Sequence, residues 1–448
     1  MALFFSANAI RVQLPVSRFY NPLTDYIDFD NDYSAWKNRQ DRFAFCQYPF
    51  WITLKQKQRI LAVDAYRQQR LKVREAYFAS LDSGKDASAI FELNIRREHL
   101  MEDSLREIPA HEDDLKKKLV VTFQGEEGVD AGGLRKEFFL LLCRQLFDTS
   151  FGLFIRDEQS NFCWFNPESA GQSSEFFLLG VVLGLAIYNS TILDVQLPPV
   201  LFKKLVGQNC TLADLKVLHP QLWHGLQQLL DYKGDDLEET FCRTFVIERQ
   251  VGTSKILKTI PLCPNGEDVL VKQSNKREFV SRYCRYILEE CCQRQMFHLS
   301  RGFHQVAGGN ALSLLRAEEI ELLVRGSPDA LNLDDLKAVC NYEGFPLASK
   351  DPLSEPIIIW FWQCFESLDP MQQRALLSFI TGSDRIPATG TVDLKFRISV
   401  DRYRSSQMLP VAHTCFSQII LPQYESLAET QDKIRLAIRE GNVGFTIA

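Results

Sequence analysis

The stretch Phe176–Tyr188, FFLLGVVLGLAIY, carries no charged residue and constrains the chain more than any other feature. A helix that is apolar on every side must be enclosed by protein or by a bilayer. Crossing a bilayer takes roughly 20 such residues, and this run is shorter, so it reads as a helix at the centre of a large core. The chain has 448 residues, 46% hydrophobic and 24% charged, which suffices for that enclosure and for about three domains of ordinary size. A formal net charge of −6, with no long basic block, argues against nucleic acid or a membrane surface as the main partner. The 12 cysteines contain no CxxC pair, so neither a metal site nor a disulfide framework is suggested, and a reducing, cytoplasmic or nuclear setting is expected. Met1–Ile10 lacks the charged start, long apolar core and cleavage site of a secretion signal.

From Leu54 to Ser80 the chain runs without Gly or Pro, and Val63, Tyr66, Val73 and Tyr77 recur at helical spacing, which predicts one long helix. Its Arg and Lys residues read as a solvated face. After a loop at Asp82–Asp86, a helix is predicted from Ile90 to Ile108, closed by Pro109, then a strand at Leu119–Phe123. A glycine-rich stretch, Gly128–Gly133, leads into a helix over Leu134–Phe147 but lacks the phosphate-binding spacings. Beyond the apolar run, Pro199, Thr211 with Asp214, and His219-Pro220 each open a helix.

The texture changes at Gly234. An acidic run leads into strand-like Phe241–Ile247 and Ile256–Ile260, and Pro264-Asn265-Gly266 supplies a turn. Asn275 with Glu278 predicts a capped helix to about Met296, followed by irregular chain over Phe297–Gly309. The helix Ala317–Arg325 meets a stop and a breaker at Gly326-Ser327-Pro328, where the main domain boundary is placed. Helices over Asp334–Cys340, Pro356–Leu368 and Met371–Ile380 follow. Val392, Leu394, Phe396, Ile398 and Val400 alternate as in a half-buried strand, a second strand is expected over Phe416–Leu421, and Ser426–Glu440 forms the last helix. Leu409-Pro410 breaks the chain just ahead of Cys415, and His413 and Thr414 bring polar groups within two residues of it. A reachable thiol with such neighbours is a candidate nucleophile. Packing is the ordinary reading of any single cysteine, and a structural hydrogen bond is the ordinary reading of His413.

These residues also form a recognisable set. HTCF with LPQY, TGSDRIP, FQGEEGVDAGG with KEFF, FFLLGVVLGLAIYNS with ILDV, NKREFV, RGFHQV and EEIELL resemble motifs of the HECT family of ubiquitin ligases and stand in the family's order. YNPLTDY, CQYPF and NIRREHLMEDSL extend the likeness toward the branch that holds the Angelman-syndrome ligase and HECT-domain-containing protein 2.

The resemblance implies an α+β, bilobal HECT domain. A larger, mainly helical N-lobe would span 87–325, with a small strand-bearing subdomain at about 234–309 that receives a ubiquitin-conjugating enzyme. The hinge would be Gly326, Ser327 and Pro328, and an α/β C-lobe at 329–448 would carry the catalytic Cys415. Residues 1–86 are expected to form a helical extension packed on the catalytic domain, with the helix from Leu54 read as a clamp on the N-lobe in preference to an interaction surface. The resemblance assigns conjugating-enzyme contacts to Leu222, Leu226, Tyr232, Phe241 and Phe279, and supporting roles to His413, Thr414, Arg385 and the tail residue Phe445. Ubiquitin passes from the conjugating enzyme to Cys415 as a thioester, then to a lysine of a protein substrate, with no cofactor. Ala412 stands where the family commonly has a hydroxyl residue, and Ser417 where it commonly has asparagine. Two other readings are a scaffold that binds conjugating enzymes without transfer, and a thiol protease, for which the papain-type signature is missing.

Overall fold

The computed structural model describes residues 2–11, 14–83, 88–126, 133–169, 173–250, 257–344, 351–394 and 396–441. Its first elements are α1 (Ala2–Arg11), α2 (Phe29–Lys37) and the long α3 (Leu54–Ser83). Phe29, Tyr33, Cys46, Ile52 and Ile60 form a small core with Ala311 and Leu314, which joins this segment to chain far ahead in sequence. Beside it Lys57 on α3 reaches both carboxylate oxygens of Glu319, at 2.6 and 2.9 Å, and Tyr20 donates to the same carboxylate at 2.6 Å. Both ends of the pair are closed to water. An ion buried without its partner is strongly destabilising, so this contact holds α3 in place.

β1 (Ile90–Ile95), α4 (Leu100–Ala110) and β2 (Lys118–Phe123) follow, with the two strands paired in parallel. The helix expected over Ile90–Ile108 is therefore a strand and then a helix. Phe91, Leu93 and Ile95 are buried while Glu92 and Asn94 are exposed, the period of two that marks a strand. Asp103 sets the entry to α4, accepting from the Arg96 backbone at 2.9 Å and from its guanidinium at 2.6 Å. Pro109 lies inside the last turn of α4 rather than closing the helix ahead of itself.

After α5 (Gly133–Leu146) and the hairpin β3 (Phe154–Arg156) with β4 (Cys163–Phe165) comes α6 (Ser173–Tyr188), in which every residue from Phe176 to Ile187 is buried. α7 (Pro199–Leu205), α8 (Leu212–Leu218) and α9 (Pro220–Asp231) follow, and Thr211 and Asp214 form the expected capping box on α8. Phe241 closes a short helix, α10 (Leu237–Phe241), rather than opening a strand; the ribbon is β5 (Val246–Gln250) with β6 (Leu257–Pro261). α11 (Lys276–Leu288) lacks the expected cap, because the Asn275 amide is used on the incoming turn, accepting from Lys272 and donating to Leu270. Glu278 pairs instead with Arg282, one turn ahead.

The stretch expected to be irregular from Phe297 is helical, in α12 (Gln293–Ala307). It packs on α6 along a seam of glycines. A Cβ at Gly180 would stand 1.9 Å from the Leu299 carbonyl oxygen, and one at Gly302 2.1 Å from that of Phe177. Only glycine permits two backbones so close. α13 (Ala317–Arg325) completes the large core, which gathers buried side chains from Leu54 to Val324.

A second core follows. α14 (Leu333–Val339), β7 (Cys340–Glu343), α15 (Pro356–Ser367), α16 (Pro370–Thr381), β8 (Phe396–Asp401), β9 (Val411–His413), β10 (Gln418–Pro422) and α17 (Leu427–Gly441) surround Ile358, Phe361, Phe365, Leu377, Ile398, Ile419 and Ile434. The sheet order is β7-β8-β10-β9, parallel except for β9. The predicted strand from Val392 begins at Phe396, because Thr391–Asp393 winds into a single tight turn. β7, at the end of a predicted helix, is too short to display a period. Among the described residues no helix is long and apolar enough to cross a membrane.

Candidate active site

The Thr414–Phe416 turn, with Cys415 at its centre, links β9 to β10. Gln418 pairs with His413 and Ile420 with Val411, so the two strands close a hairpin at the sheet edge and hold the turn at its end. The residue after the turn closes it. Ser417 is buried and left-handed, with φ +50°; its N–H donates to Thr414 at 3.1 Å, and its carbonyl accepts from Arg397 on β8 at 2.9 Å. His413 is exposed at the end of β9, and Phe416 is half exposed on the other side of Cys415.

The surroundings come from both cores. α5, which holds the KEFF motif, packs against this turn. The end of α16 meets it too: a Cβ on Gly382 would lie 3.5 Å from Thr414 and 3.6 Å from Leu140 of α5. Arg385 sits on the loop that follows α16. Its guanidinium makes a long, 3.5 Å contact to the Gly326 carbonyl, so it ties the loop to the connection between the cores. Asp194 of the ILDV motif shares that corner with Arg144, Arg325, Arg385 and Asp384, near enough for each charge to act on it. Arg325 is buried, donating to the Val195 carbonyl at 3.1 Å and pairing with Glu321, whose carboxyl is raised above its usual range by burial. No signal in the sequence alone separates these charged residues from a solvated surface.

The segment Gly326-Ser327-Pro328 is anchored unevenly. Ser327 and Ile386 exchange backbone hydrogen bonds at 2.8 and 3.2 Å, so Ser327 is held by the second core. Arg374 of α16 donates to the Pro328 carbonyl and, at 3.3 Å, to that of Asp329. Gly326, at φ +74°, is the one residue between this attachment and buried Arg325 of the large core. A side chain there would strain the backbone and meet the Ile386 carbonyl oxygen at 2.6 Å. Phe445 lies outside the described residues.

The five positions assigned to a conjugating enzyme lie on or between α9 and α11, and they differ in exposure. Tyr232 and Phe241 are partly exposed and meet edge to face, ring centroids 5.3 Å apart, with the Tyr232 hydroxyl on Asp236 at 2.5 Å. Leu222 is partly covered on α9, and Leu226, one turn on, is buried. Phe279 is buried against Phe245 and Tyr283, with centroids at 5.4 and 5.7 Å. Lys276, three residues before Phe279, donates to the Tyr232 carbonyl at 2.6 Å and thereby joins the two helices. Leu222, Tyr232 and Phe241 are thus half-exposed, while Leu226 and Phe279 are buried.

Comparison with known proteins bears on the whole of this arrangement. A family model described as HECT-domain (ubiquitin-transferase) matches residues 140–448. The chain is 37% identical to "Probable E3 ubiquitin-protein ligase mug30" of Schizosaccharomyces pombe, in an alignment covering 100% of this chain and 58% of that protein. It is 39% identical to human "Probable E3 ubiquitin-protein ligase HECTD2", over 95% of this chain and 56% of that one. With human "Probable E3 ubiquitin-protein ligase HERC3" the figures are 35% identity, 96% and 42%. The chain spans about half the length of the curated relatives it matches. Because the family model takes in well over half of the chain, including the hairpin that bears Cys415, the chain belongs to the HECT-domain (ubiquitin-transferase) family.

Proposed function

We propose that the protein is a ubiquitin-protein ligase in which Cys415 carries ubiquitin between a conjugating enzyme and a substrate lysine. The observation that carries this reading is the position of Cys415 on the β9–β10 turn, within the part of the chain that matches the ubiquitin-transferase family. In the first step the Cys415 thiolate attacks the carbonyl carbon of the thioester joining ubiquitin to the conjugating enzyme and expels that enzyme's thiolate. In the second, a substrate amine that has lost its proton attacks the new thioester, forms the amide and releases Cys415. One thioester replaces another, so the first step is close to isoenergetic. The protein's contribution is alignment, an effect worth about 7 kcal/mol or more in ideal cases.

In this reading the large core is the N-lobe, about 87–325, the second core is the C-lobe, 329–448, and the connection at 326–328 is the hinge. The conjugating enzyme sits on the rim formed by Leu222, Tyr232 and Phe241, supported from below by Leu226 and Phe279. Two different partners must reach one sulfur, so the C-lobe reorients between steps. The attachments of Ser327 and Pro328 to the C-lobe narrow the pivot to Gly326. His413 and Thr414, just ahead of Cys415 in the chain, support the transfer, Arg385 holds the loop at the hinge, and Phe445 serves the second step.

The test is a pulse-chase with ubiquitin-loaded conjugating enzymes, resolved on a non-reducing gel. A thiol-sensitive ubiquitin adduct on the wild type, absent from Cys415→Ala, is the expected result. If a broad panel of conjugating enzymes leaves no adduct, the reading fails and a scaffold that only binds such enzymes takes its place; if Cys415→Ala forms the same adduct, the reading fails because another thiol is the acceptor.

A further inference from the structure

Beyond Ala65 no residue of α3 is buried as far as Leu81. At 3.6 residues per turn Tyr66, Arg70, Arg74, Tyr77 and Leu81 share one row, flanked by Leu71 and Phe78, within about 140° of the helix circumference. All seven are exposed, the apolar ones by 46% to 63%. Gln69, Lys72 and Ala76, on the opposite side, are partly covered, so the row faces away from the body of the protein.

Charge says what would cover it. Neither Arg70 nor Arg74 has an acidic partner among the described residues. The only acid on the helix between Tyr66 and Leu81 is Glu75, which lies off the row and pairs with Lys72 at 3.1 Å. On a chain of net charge −6, the only charges on this row are therefore its two arginines. The arrangement also separates two classes of partner. A helix that lies in a membrane interface keeps its apolar sector apart from its basic sector. Here the arginines stand among the rings, and intermixed Tyr, Phe and Arg is the composition of protein–protein hot spots.

We propose that the outward row of α3 is a docking surface for an acidic protein segment with apolar anchors, an amphipathic helix whose Asp or Glu residues stand one turn from Leu or aromatic residues. Its carboxylates pair with Arg70 and Arg74, and its anchors pack among Tyr66, Leu71, Tyr77, Phe78 and Leu81. The proposal does not depend on the transfer chemistry, since none of these residues belongs to the site around Cys415.

The test uses the whole chain and fluorescence anisotropy with three labelled synthetic helices. One carries Glu and Leu in the stated spacing, one has Lys for each Glu, and one keeps the Glu residues but has Ser for each Leu. The first is expected to bind at least tenfold more tightly than the other two. Arg70→Glu with Arg74→Glu, and separately Tyr77→Ser with Phe78→Ser, should each weaken it at least tenfold while leaving the melting temperature and ubiquitin-adduct formation as in wild type. Equal binding of the three helices, or undiminished binding by either variant, overturns the proposal. So does preferential binding to phosphatidylserine vesicles or to a thymidine oligonucleotide, which would assign the row to a membrane or to nucleic acid.

Discussion

Lys57 and Glu319 are 262 positions apart, and the buried contact between them shows how much of the residue scale lies beyond local sequence. In the sequence Lys57 is one basic residue among several on a long helix, and its neighbours predict a solvated side chain. Lys57→Ala should lower stability by about 3–5 kcal/mol, because it leaves the Glu319 carboxylate buried without a cation. Adding Glu319→Gln, with Met in place of Ala at 57, should recover most of that loss; urea melts of the single and double variants measure both. Ser417 presents the opposite case. Its neighbourhood was legible from the HTCF motif, but its left-handed backbone was not, and that geometry gives a physical reason why the family favours asparagine there. Ser417→Val should cost about 1–2 kcal/mol, as expected of a β-branched residue forced into this region, while Ser417→Gly should cost little. Thermal melts of the two variants distinguish them.

Among elements, α6 was the easiest to recognise and α12 the hardest, although each is half of the same contact. Unbroken apolarity marks α6, since nothing but a core helix is consistent with it. α12 shows only a narrow stripe, Met296, Leu299, Phe303 and Val306, among Arg, His and Gln residues. That stripe suffices because the glycine seam brings the helices close enough for backbone to meet backbone. Gly180→Ala should therefore destabilise the protein by about 3 kcal/mol, the upper end for overpacking a tight core. Gly225→Ala on α9, where a Cβ meets nothing within 4 Å, should instead stabilise it by about 0.5–1 kcal/mol. Chemical denaturation of both separates a glycine needed for close approach from one that only loosens a helix. β1 was misread although Phe91-Glu92-Leu93-Asn94-Ile95 alternates apolar and polar in the sequence itself.

For the whole molecule, the first 80 residues are the clearest test of how far the fold depends on contacts distant in sequence. Phe29, Tyr33, Ile52 and Ile60 cover Ala311 and Leu314, and Lys57 covers Glu319. Deleting Met1–Ser80 should expose that surface and lower the melting temperature by several degrees; an unchanged melt would show the segment to be an attachment rather than a support. The sequence by itself determined the central buried helix, the break at Gly326 and the alternating strand that becomes β8, because each of these is written in residues within a few turns of one another. Tertiary structure alone decided that α5 lies against the Cys415 turn, that Arg385 reaches the Gly326 carbonyl, that α12 closes on α6, and that α3 turns a row of arginines and aromatic rings outward. Those outcomes depend on which surfaces meet after the chain has folded, and a pairing between distant residues leaves no period or cap in the local sequence from which to read it.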